Sequence, residues 1–154
     1  TDRIMKQIAL LLSVIGVLVA CKKEVVDIMP REPSIELISV GPSTVIEFEQ
    51  PIVLRFKYED GDGDLGQTDP DDHSLWVKDS RLKTADGYHI IPLSPPDTEL
   101  AIRGELEVQL SPLFLLGNGT EEQMTYSFHV VDRAGNRSNE IVTTMITILP
   151  QDSL

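Results

Sequence analysis

Basic side chains are in short supply: 13 stand against 25 acidic ones in 154 residues, for a formal charge of −12. Nucleic acid and anionic headgroups both need a basic patch, so such a surface repels them. Cysteine is scarcer still. Cys21 stands alone, so no internal disulfide can form, even in an oxidising compartment. The three histidines, His73, His89 and His129, fall on separate segments without metal-ligand spacing. No serine sits in a Gly-x-Ser-x-Gly elbow, and Gly61 and Gly63 alternate with aspartates that would repel a phosphate. These absences point away from an enzyme. Aromatics are few as well, and only Tyr58, Trp76 and Tyr88 offer a face on which a sugar could stack. Finally, the apolar run Ile8–Val19 has 12 residues, whereas a membrane span needs roughly 20.

That run has another meaning. A secretory signal combines a basic start, an apolar stretch of roughly 7–15 residues and small residues before the cleavage point. Arg3 and Lys6 supply the start, and Leu18-Val19-Ala20-Cys21 closes the stretch. The tetrapeptide resembles the lipobox of bacterial lipoproteins. The resemblance implies that Cys21 is acylated, begins the mature chain and fixes it to the membrane through lipid. Each buried methylene adds about 0.8 kcal/mol of membrane affinity, so several acyl chains hold firmly. Met5 reads as the initiator and residues 1–20 as the signal-peptide helix. Their removal takes away Asp2, Arg3 and Lys6, leaving 11 basic against 24 acidic residues, net −13. Lys22 stands where some lipoproteins carry an aspartate that retains them in the inner membrane. The resemblance therefore implies a lipid anchor in the cell envelope, at the outer membrane, with the periplasmic or surface side open.

Residues 21–33 read as the lipidated cysteine and a tether. Pro30, Pro33 and mixed charge favour an extended spacer, at most about 40 Å long at roughly 3.3–3.6 Å per residue. From Ser34 onward the pattern alternates with period two. Ile52, Leu54, Phe56 and Tyr58 interleave with mostly polar neighbours, as do Leu106, Val108 and Leu110, and Met124, Tyr126, Phe128 and Val130. Val142–Ile148 adds a β-branched run, and weaker strands fit 34–40, 74–78, 88–92 and 100–103. Only Pro112–Leu116 fits a helical turn. Short strands without crossover helices predict an all-β antiparallel sandwich of about seven strands over residues 34–150.

Two turns make the expectation more specific. Val131-Asp132-Arg133-Ala134-Gly135-Asn136 looks like the turn between the last two strands of bacterial immunoglobulin-like modules. Tyr58-Glu59-Asp60-Gly61-Asp62-Gly63-Asp64-Leu65-Gly66 resembles a loop in Bacteroidota lipoproteins that carry such domains. The likeness implies an immunoglobulin-like sandwich, with Tyr126 as a tyrosine corner and Trp76 as the core tryptophan. The antibody disulfide is missing.

The acidic loop carries the chemistry. Aspartates at alternate positions can aim carboxylates at one point, and Ca²⁺ accepts six to eight oxygens. Intervening glycines let the backbone curl. An EF-hand is excluded, because Leu65 holds the sixth position, where that loop requires glycine, and a strand precedes it. In the expected topology the strands ending at Asp60 and Asp132 share a pole. Asp60, Asp62, Asp64, Gly66, Asp132 and Asn136 then form a candidate calcium site, with Asp71 as a further candidate. A solvated acidic turn is the plain alternative. The expected function is a non-enzymatic, lipid-anchored envelope module, calcium-stabilised, that binds or adheres to an envelope protein or glycan. A glycan-binding subunit of a polysaccharide uptake system is the alternative. Trp76 and Tyr88 are its candidate contacts, although Trp76 reads first as core filler.

Overall fold

The structure is a computed structural model and describes residues 29–95 and 97–151. The signal peptide and Cys21 lie outside the described residues. The described chain is all-β: β1 (Ser34–Gly41), β2 (Thr44–Ile46), β3 (Ile52–Asp60), β4 (Leu75–Asp79) and β5 (Asp86–Tyr88) come first. After them come β6 (Ile102–Leu110), β7 (Glu122–Met124), β8 (Tyr126–Val130), β9 (Ile141–Val142) and β10 (Ile146–Leu149). One layer has the order β1-β3-β6, and the facing strands run β5-β4-β8-β9 and β2-β10-β7.

The ten strands amount to seven paths across a sandwich. β1 and β2 are two halves of a first strand that changes partners: β1 pairs antiparallel with β3, and β2 pairs parallel with β10. Likewise β7 and β8 share one path, and β9 and β10 another. The register between these two paths moves by one residue where Thr143 interrupts the ladder. The Thr143 hydroxyl accepts the Tyr126 N–H at 2.9 Å, so the break leaves that donor satisfied.

Alternation builds the core. Ile52, Leu54 and Phe56 of β3 face Tyr126, Phe128 and Val130 of β8 within a single buried cluster. The Phe56 and Phe128 rings lie 5.4 Å apart and tilted. On the outer face, Lys57 with Glu36 and Arg55 with Glu105 and Glu107 lie within 3.6 Å of each other.

Several local expectations fail for identifiable reasons. Residues 100–110 make one strand from Ile102, with no break at Gly104, because Tyr58 opposite covers the missing side chain. The strand expected at 88–92 is confined to Asp86–Tyr88, and the next residues fold back on the acidic loop. Pro112–Leu116 forms no helical turn; its main-chain groups are bonded by Arg81, Glu47 and Glu122 instead. Trp76 is not core filler: Leu75 and Val77 are buried, which turns Trp76 to the outer face, half-buried and edge-on to His73.

The path directions define two poles. β3 and β8 end together at one, where β1 also begins, since Ser34 pairs with Glu59. The opposite pole holds the start of β3, the ends of β4 and β6, and the end of β10.

Candidate metal centre

The acidic loop starts inside the protein. Asp60 is the last residue of β3 and keeps the inward phase of Ile52, Leu54 and Phe56, so its carboxylate is fully buried. Leu65, five residues on, is fully buried too and plugs the loop into the core. Its N–H donates to Asp60 Oδ2 at 2.9 Å. The residue that excludes an EF-hand is therefore the one that anchors this loop.

Glycines let other segments close in. Gly63 and Gly66 have φ of 74° and 97°, and a Cβ at Gly63 would meet the Leu100 carbonyl oxygen at 2.1 Å. The Asp62 carbonyl accepts the Leu100 N–H at 3.1 Å, and the Leu65 carbonyl accepts that of Leu93 at 3.2 Å. From the other turn, Arg133 N–H donates to the Asp64 carbonyl at 3.2 Å and Ala134 N–H to Asp64 Oδ2 at 3.0 Å. The two distant turns thus meet at one pole, as their strand directions predict.

Three carboxylates converge there. One oxygen from each of Asp60, Asp62 and Asp64 lies within 4.8 Å of the others, a group that can hold a metal ion. The Oδ1 atoms of all three are buried and accept no hydrogen bond. Buried carboxylate oxygens normally find donors, so this arrangement is costly on its own. Burial, with the charges of Asp62 and Asp64, pushes the Asp60 carboxyl up to about 6 against the Leu65 N–H. Burial and the neighbouring charges of Asp132 and Asp62 raise Asp64, opposed by the Ala134 N–H and Arg133. A depression of about 420 Å³, lined by Asp62, Asp64, Asp97, Thr98, Glu99 and Arg133, opens beside the group.

The other expected ligands have different occupations. Asp132 is buried, but its two oxygens accept the main-chain and side-chain N–H groups of Asn136, at 2.7 and 2.9 Å. These two residues close their own turn and bring the Arg133 and Ala134 N–H groups to Asp64. The Gly66 carbonyl accepts the Arg133 guanidinium at 2.9 Å. Asp71 is exposed, and its N–H donates to Asp69 in a local turn. Sequence reading missed Arg133 as a fixed cation beside the group, along with Leu100 and Ser94, which donate to the Asp62 and Gly63 carbonyls of the loop. The glycines were the available signal, since each marks a close approach.

The sugar-stacking candidates are only half exposed. Trp76 lies opposite His129 across the strands and against His73. Burial, with Arg137 nearby, pushes the His129 imidazole below its ordinary value. Tyr88 is half-buried, and burial pushes its hydroxyl above the ordinary value. A more exposed aromatic pair sits at the opposite pole, where Phe48 and Phe114 stack 5.7 Å apart.

No protein-family model matches the chain, and no curated protein or solved structure matches it.

Proposed function

We propose that this chain is a non-enzymatic module of the bacterial envelope, held by a lipid on Cys21, whose sandwich is stabilised at one pole by Ca²⁺. Its remaining surface would engage an envelope protein or a glycan. The observation that carries the cation is the unpartnered, fully buried Asp60 Oδ1 beside those of Asp62 and Asp64. Calcium suits the group better than magnesium, because it accepts irregular shells of carboxylate and carbonyl oxygens, whereas Mg²⁺ demands near-octahedral geometry. The lipid anchor is supported by the Leu18–Cys21 tetrapeptide.

Thermal unfolding of the full chain in chelator and in millimolar Ca²⁺ tests the reading. An ion at 100 times its dissociation constant adds roughly 2.7 kcal/mol, so Tm should rise by several degrees. Asp62→Asn combined with Asp64→Asn should abolish the rise. An unchanged Tm in the wild-type chain would leave the loop a solvated acidic turn. Glycan capture has less support, since neither Trp76 nor Tyr88 forms an open platform; binding on a glycan array, lost on Trp76→Ala, would favour it.

A further inference from the structure

Gly61 is not among the residues of positive φ, yet a side chain there has no room while the tether stays in place. A Cβ would lie 2.2 Å from the Pro30 carbonyl oxygen and 2.4 Å from that of Met29. Two main-chain oxygens of the incoming tether therefore converge on the residue between Asp60 and Asp62. Neither accepts a main-chain hydrogen bond from any described residue. The contact extends along the tether, because Arg31 reaches Glu99 at 3.5 Å and Pro33 is buried. The residues just before β1 are thus part of the acidic pole, not a free spacer.

Carbonyl oxygens carry partial negative charge. Two consecutive ones aimed at the residue between Asp60 and Asp62, beside Oδ1 atoms that lack donors, offer the oxygen-rich surroundings that Ca²⁺ favours. We infer that the Met29 and Pro30 carbonyl oxygens are further ligands of the ion held by Asp60, Asp62 and Asp64, so that the ion clasps the tether to the sandwich. The inference rests on the cation reading above and extends it. Three carboxylates and two carbonyls approach the six to eight oxygens that Ca²⁺ takes, and the open depression leaves room for water. Loaded, the clasp sets the orientation of the domain relative to its anchor; stripped, it lets the domain pivot about residues 29–33.

Calcium titration by calorimetry, combined with limited trypsin cleavage of the full chain, tests this. Cleavage after Arg31 should slow at least tenfold in Ca²⁺ relative to cleavage after exposed Lys83, at the opposite pole. Gly61→Ala should keep the wild-type circular dichroism, lose that selective protection and bind Ca²⁺ about tenfold more weakly. Should Gly61→Ala fail to fold, Pro30→Gly, which alters only the tether, should still weaken binding several-fold. Wild-type affinity in the folded variant, with Arg31 and Lys83 cut in unchanged proportion, would overturn the clasp while leaving the cation in place. Absence of any binding heat in the wild-type chain would overturn both.

Discussion

The two poles of the sandwich solve one problem in opposite ways. Each draws carboxylates out of water. At the pole where β4 ends, Asp79 and Glu122 are held by Arg81, at 2.7 and 2.6 Å, and the same guanidinium donates to the Phe114 carbonyl at 3.0 Å. Glu122 also accepts the Leu116 and Gly117 N–H groups, so its carboxyl lies below the usual range. The chain supplies the cation there. At the acidic pole Arg133 turns to the Gly66 carbonyl, and the Oδ1 atoms of Asp60, Asp62 and Asp64 have no protein donor. On the proposed reading, the counter-charge at that pole comes from an ion outside the chain. The comparison teaches that acidic composition alone does not point to a cation; what points to one is a set of buried carboxylate oxygens that the protein leaves without a partner.

The contrast can be broken at its strongest point first. Leu65→Ala removes the plug beneath the acidic loop and should cost roughly 2–5 kcal/mol, read by urea denaturation, and should erase any calcium-dependent gain. Arg81→Met strands Asp79 in a partly buried site. It should lower Tm by several degrees, yet leave the calcium-dependent rise at wild-type size, because the poles are independent. A pH scan in chelator sharpens the difference. The folded-state carboxyl of Asp60, at about 6, lies above its unfolded value near 3.8, so the folded chain binds that proton more readily. Stability of the ion-free protein should therefore rise as pH falls from above 6 toward 4, and the calcium-dependent gain should shrink over the same window. A monotonic loss of stability on acidification in chelator would contradict this. The smallest effect belongs to neither pole: Arg55→Ala breaks exposed pairs with Glu105 and Glu107 and should cost at most about 1 kcal/mol, less at high salt.

Much of this was legible in the residues. The alternation of Ile52 to Tyr58 and of Met124 to Val130 marked both central strands, and the shared pole followed from their directions. The burial of Asp60 and Asp132 was legible as well, since each continues the inward phase of its strand by one more step. Treating both as turn residues hid that. Other features were not readable. Trp76 and its neighbours Leu75 and Val77 compete for the inner face, and only the packing of β4 against β8 decides between them. The roles of Gly66, Asp132 and Asn136 depend on Arg133 and the local turn, which composition does not separate from ligation. The packed end of the tether left a trace only in Gly61, whose need shows once Met29 and Pro30 are in place.

The shear direction of the first strand has its own consequence. The described chain enters beside Glu59 and leaves past Leu149 at the far end, where Gln151 N–H meets Glu47. Traction between those two ends runs along β1, so the rungs joining β1 to β3 would yield together and not one by one. Asn139, which bonds both main-chain groups of Ile35 at 2.9 Å, adds a rivet from the facing layer.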